Sequence, residues 1–129
     1  MIALAVLLTG LLFGGMTFYS FAFAGFLFRH ASPEEAGRLL RLAFPAFYLA
    51  TIVTAGLAAL AAFAIDRTAA LLLFAVVLTT IPARQALMPA INCATDTGAK
   101  ARFAWLHGAS VALGLAQIAA AGWALLRLA

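Results

Sequence analysis

Arg29, Tyr48, Arg84, Gln85, Asn92 and His107 stand out as the polar side chains able to do chemistry in a chain that is otherwise mostly apolar. Arg84 follows Pro82 near the end of one apolar run, Gln85 and Asn92 come next, and His107 lies one turn inside the following run. A guanidinium is a planar fork of donors suited to phosphate or carboxylate. An imidazole changes charge near neutral pH. A layer of these groups would bind an anionic headgroup or substrate. Met88 and Cys93 lie in the same stretch, and with His107 they are suitable ligand types for a soft metal, although no tight ligand spacing unites them. A third reading needs no ligand at all: cationic and aromatic side chains anchor helices at a membrane surface.

Catalysis has little to draw on. The four carboxylates, Glu34, Glu35, Asp66 and Asp96, all lie outside the deep apolar runs, so none pairs with His107 inside the membrane. There is no serine-nucleophile elbow and no phosphate-cradling glycine loop. The expectation is a non-enzymatic protein without a resident cofactor. A missing buried acid also argues against a proton-driven pump, which relays protons through Asp, Glu or His.

The elements that must position these groups follow from composition. Hydrophobic residues make up 67% of the 129 and charged residues 9%, with a mean hydropathy of +1.12, whereas a soluble domain carries about 25% charged residues. No water-facing shell can be assembled, so lipid is the solvent. A lipid-crossing helix needs about 20 apolar residues, and four such runs occur, over residues 2–28, 43–65, 69–88 and 103–126, predicting helices over about 2–28, 33–65, 68–88 and 103–126. The chain therefore reads as one all-α domain over 1–129, an integral membrane four-helix bundle with short connections and sequential helices antiparallel. Ser32-Pro33-Glu34-Glu35 is a capping box, with Ser32 as N-cap, Pro33 at the first helical position and Glu35 reaching back. Pro45 and Pro82 should kink their helices.

Charge sets orientation. Arg29, Arg38, Arg41, Arg84, Lys100 and Arg102 fall at one end of the bundle and Arg67 and Arg127 at the other. The positive-inside rule then gives N-out, C-out. Ala22-Phe23-Ala24 resembles a signal-peptidase site, but no Lys or Arg precedes it to form the charged n-region of a signal peptide, so the first helix is expected to be retained. The basic residues form no stripe that could follow a phosphate backbone, which excludes nucleic acid. Cys93 is the single cysteine, so no internal disulfide forms. Arg84 would lie about 24 Å along the third helix, at 1.5 Å per residue, level with His107 near the cytoplasmic face.

Packing residues can also be picked out. His107, Ser110, Gly114, Gln117 and Ala121 recur at helical spacing on one face of the fourth helix. They line either a pathway or a packed, hydrogen-bonded interface. Gly10 and Gly14 form a G-x-x-x-G pair on the first helix, which lets another backbone approach, from this chain or from a second copy.

Three segments carry a family resemblance. The first is Gly15-Met16-Thr17-Phe18 leading to Gly25-Phe26-Leu27-Phe28-Arg29 and then Leu42-Ala43-Phe44-Pro45-Ala46-Phe47-Tyr48. The second is Ala83-Arg84 with Met88-Pro89, and the third is Phe103 through Ser110. In order and spacing they resemble the transmembrane protein 205-like family, also described as domain of unknown function 4149. The resemblance implies a four-helix membrane protein and supports an uncleaved first helix. It marks Gly15, Arg29, Pro45, Tyr48, Arg84, Pro89, His107 and Gly108 as pattern positions. The family often has a histidine early in its first helix; none precedes His30 here, so a paired-histidine role is not implied. The resulting expectation is a small transport, homeostasis or assembly component, multi-pass in a bacterial inner membrane. It would bind anionic lipid headgroups and act as a homo-oligomer or within a larger membrane complex; a metal- or haem-associated protein using His107, or a purely structural subunit, is the alternative.

Overall fold

A computed structural model describes residues 1–129 as four helices: α1 (Ile2–His30), α2 (Pro33–Ala62), α3 (Arg67–Asp96) and α4 (Lys100–Leu128). Each spans about 45 Å at 1.5 Å per residue, enough to cross a hydrocarbon core of about 30 Å and enter both interfaces. All four are long and apolar enough to cross a membrane, and the chain is a multi-pass bundle. Large side chains cover its exterior; Leu7, Leu60, Trp105 and Leu126 are all more than 70% exposed, as lipid contact requires.

Local chemistry explains the helix ends. Ser32 Oγ accepts from the Glu35 amide at 3.2 Å, so the N-cap of α2 forms as its sequence implies. The reciprocal half of the capping box does not: the Glu35 carboxylate turns to Arg38, one turn on, at 2.6 Å. A charge-assisted pair outcompetes a bond to a neutral amide. Asp66 caps α3 by accepting from the Ala69 amide at 2.9 Å. α2 stops at Ala62, short of residue 65, because Phe63–Ile65 form the turn that delivers Asp66 to this cap.

The larger difference lies in α3. It runs through Pro89 to Asp96 instead of ending near 88, and α4 begins at Lys100 instead of 103. A π-helical turn over Ala83–Leu87 comes just before Pro89, which then sits at the start of a fresh α-helical segment. There its missing N–H and its ring are tolerated. The α3–α4 connection shrinks to a Schellman turn: Gly98, at φ +69°, donates to Thr95 O, and Ala99 donates to Ala94 O at 2.9 Å.

Neighbouring helices alternate in direction around a ring. α1 packs on α2 and α4, and α3 packs on the same two, so α1 faces α3 across the diagonal. Both termini and the α2–α3 turn share one end, here the terminal end; the two other connections form the basic end. In the terminal half the core is alanine-rich, with Ala5, Ala55, Ala58, Ala62, Ala121 and Ala124 around Leu12 and Leu73. Small side chains let helices approach closely, which is how they associate in lipid. In the basic half aromatic rings replace alanines: Tyr19 stacks on Phe47 at 3.9 Å, with Phe23, Phe44 and Tyr48 around them.

α1 also contains a π turn, Phe18–Phe23. Leu27 lies eleven residues past buried Met16 and would share its direction in a regular helix. The wide turn adds about one residue and so rotates the last stretch of α1 by about 100°. Leu27 accordingly packs against Ala36 and Leu40 of α2.

Candidate functional site

Arg84 is half-buried, and its one hydrogen bond runs from Nε to the Pro45 carbonyl of α2, at 3.2 Å. Its terminal nitrogens face no carboxylate. Charge bookkeeping makes this informative, because the chain has only four acids. Glu35 holds Arg38, Asp96 holds Arg41 at 2.9 Å, and Asp66 holds Arg127 at 3.0 Å. Glu34 is exposed in the first turn of α2. Arg84 therefore sits half-buried against α2 without a counter-charge from its own chain.

The rest of the expected layer divides. Tyr48 is half-buried, and its hydroxyl faces that of Ser110 across the α2–α4 diagonal. Gln117 of α4 lies opposite Thr79 and Thr80 of the antiparallel α3, which puts Arg84 about level with Ala112, five residues or about 8 Å from His107 along α4. His107 is exposed and stacks on Phe103 at 5.5 Å, and no hydrogen bond joins it to Arg84. Gln85 and Arg29 are exposed as well. Asn92 is half-buried and uses its backbone carbonyl, accepting from Arg41 at 3.3 Å. Arg84 thus contacts α2 at Pro45, while His107 stands apart from it on an exposed part of α4. The Tyr19 hydroxyl, to which no sequence motif points, is buried nearby without a hydrogen-bond partner.

The packing residues divide too. Gln117 is 6% exposed, and its Nε2 donates to Thr79 Oγ1 at 2.8 Å and Thr80 Oγ1 at 2.9 Å, clamping α4 to α3. Gly10, Gly14 and Gly114 have nothing within 4 Å of where a Cβ would stand, so no helix of this chain packs into them. The close approach is made elsewhere, by Gly122, where a Cβ would lie 3.0 Å from the Phe13 ring. Periodicity alone could not choose among the glycines, because the choice depends on where the Phe13 ring falls.

At the terminal end Arg127 makes a two-pronged contact with Asp66, Nε to Oδ1 at 3.2 Å and a second nitrogen to Oδ2 at 3.0 Å. The Ala69 amide and the Arg127 guanidinium together hold the Asp66 carboxyl below its usual range. For metal chemistry the arrangement offers less: no three His, Cys, Asp or Glu side chains come together, and Cys93 is exposed.

Family-level comparison matches residues 7–100 to the family described as "Domain of unknown function (DUF4149)". No curated protein and no solved structure matches the chain. The matched stretch contains α2, α3 and all of α1 after its first five residues, and with them Arg84, Pro45 and Tyr48.

Proposed function

The chain belongs to the family described as Domain of unknown function (DUF4149), and within that family we propose, from the surroundings of Arg84, a non-enzymatic membrane protein that recognises an oxyanion through Arg84, reached from its basic end. The observation that carries this reading is the half-buried guanidinium that uses only Nε, on the Pro45 carbonyl, while the other arginines with acidic partners lie at the bundle ends. A charge within a bundle is costly unless it is paired. A phosphate or carboxylate from outside the chain supplies the missing partner, and the fork geometry of arginine suits either.

The positive-inside rule favours the cytoplasm for the basic end, in keeping with a bacterial inner membrane and N-out, C-out topology. The resemblance to the transmembrane protein 205-like family belongs to the same proposal, as does a role in transport, homeostasis or assembly. Self-association, or docking into a larger membrane complex, has one specific support: the open Gly10–Gly14 face of α1 leaves room for another backbone.

Titration of inorganic phosphate and of dihexanoyl phosphatidic acid into the protein in phosphatidylcholine nanodiscs tests the Arg84 site. Wild type should bind at least one of the two, Arg84→Gln at least tenfold more weakly, and Arg84→Lys in between. Equal binding by wild type and Arg84→Gln would remove the assignment.

A further inference from the structure

The basic half of the bundle is open on one side. α1 packs along α4 over Ile2–Thr17, but from Phe18 onward it makes no extended contact with α4. Its π turn has rotated Leu27 onto Ala36 and Leu40 of α2. α4 registers the loss directly: none of its residues before Gln117 is fully buried. The side of α4 that faces the gap can be identified. Gly114 and Ile118 lie seven and eleven residues beyond His107, which brings each back to within about 20° of the same direction. Ile118 packs against the core, and Gly122, one turn further, receives Phe13 of α1. His107 and Gly114 therefore lie on the flank that meets α1 in the terminal half, at levels where α1 has moved away.

The walls and rim of this gap are chemically distinct. Its α4 wall holds Phe103, the exposed Val111 and Gly114, which has open space where a Cβ would stand. Phe28 on α1, 61% exposed, is turned away from the α2-facing Leu27. At the rim, Arg29 ends the side of α1 opposite Leu27, and Lys100 begins α4; both are exposed and neither forms an ion pair. An apolar slot about half a bilayer deep, with two free cations at headgroup level, is complementary to one occupant. We infer that an anionic phospholipid of the leaflet at the basic end fills the gap between α1 and α4, its acyl chain against Phe28, Val111 and Gly114 and its phosphate between Arg29 and Lys100. The lipid completes the wall that α1 leaves open. This site uses none of the Arg84 contacts.

Native mass spectrometry on the full chain, released from nanodiscs of equal phosphatidylglycerol and phosphatidylcholine, tests the inference. Wild type should retain phosphatidylglycerol at least fivefold over phosphatidylcholine. Gly114→Leu, which fills the slot, should lower retention at least fivefold with an unchanged helical circular dichroism spectrum. Should that variant misfold, Arg29→Ala with Lys100→Ala should abolish the preference between the two lipids while some lipid remains bound. Arg84→Gln should retain lipid like wild type, which separates this site from the Arg84 site. Unaltered retention in both the slot and the rim variants overturns the inference. So does displacement of the lipid by glycerol 3-phosphate alone, which would make the site one for a free anion. In a Cys93→Ser background, ready disulfide formation in membranes between Phe28→Cys and His107→Cys of one chain also overturns it, since α1 would then close on α4. Disulfide formation between His107→Cys of two chains overturns it equally, by placing a second copy in the gap.

Discussion

Replacing Gln117 with leucine tests the polar clamp at the middle of the bundle. The side chain donates to Thr79 and Thr80, and both hydroxyls in turn donate to backbone carbonyls, Thr79 to Ala75 at 2.8 Å and Thr80 to Val76 at 2.6 Å. Removing the amide therefore orphans no donor, since each hydroxyl keeps its own acceptor. Leucine is close to glutamine in volume, so no large cavity opens. Interhelical side-chain bonds in membrane proteins average about 0.6 kcal/mol and reach about 1.7. Two such bonds give an expected loss of about 1–2 kcal/mol for Gln117→Leu. Thr80→Val is near-isosteric, and a double-mutant cycle with Gln117→Leu should return a coupling of about 0.6 kcal/mol. Reversible unfolding in mixed micelles of dodecyl sulfate and a mild detergent measures all three variants. A coupling of zero would show that Gln117 and Thr80 do not share a bond in the membrane. A loss above about 4 kcal/mol would place Gln117 in a larger network than two hydroxyls.

The Asp66 carboxyl is held below the unfolded value of about 3.9. Its contribution is thus fully present above that value and is lost as pH falls through the lower folded value. Thermal unfolding in detergent should be nearly flat from about pH 8 to pH 5 and weaken below about pH 4, and Asp66→Asn should reduce that acid dependence; an unchanged profile refutes a contribution from the Asp66 carboxylate through the Ala69 amide and Arg127. Gly98→Val forces a β-branched residue to φ +69° and should lose about 1–2 kcal/mol, read from the same unfolding curves, with no loss counting against the Schellman turn. Gly122→Leu should lose about 1–3 kcal/mol by overpacking on Phe13. Gly14→Leu, with open space at its Cβ position, should leave monomer stability within about 0.5 kcal/mol and reduce any oligomer seen by light scattering. Equal effects at the two glycines would contradict their different surroundings.

The bundle was legible because lipid imposes a simple rule. Each crossing needs its own apolar run, and the runs around Phe13, Thr51, Leu73 and Gln117 became α1 to α4. Short connections and the Ser32 cap were readable for the same reason: they depend on neighbours in sequence. The extent of α3 was not, since Pro89 looks like a terminator unless the π turn before it is known, and such turns leave little mark on hydrophobic periodicity. The candidate site shows the same division. Depth is a matter of counting at 1.5 Å per residue, and counting puts both Arg84 and His107 in the basic half. Direction depends on accumulated helix rotation and on which neighbours are present, and there His107 departed from expectation. The ties Arg41–Asp96 and Arg127–Asp66 join residues 55 and 61 positions apart. Nothing local in the sequence selects those partners over other acids.

The wide turn in α1 makes chain length a setting of the architecture. Deleting one residue between Phe18 and Phe23 would restore ordinary winding and swing everything after it by about 100°. Leu27 would then point down the bundle axis beside Met16, α1 would be free to zip along α4 to its end, and Arg29 would move with it. One codon thus separates a side-opened bundle from a sealed one, so length variation among relatives in this hexapeptide should change lipid dependence more than any single exchange of side chains there.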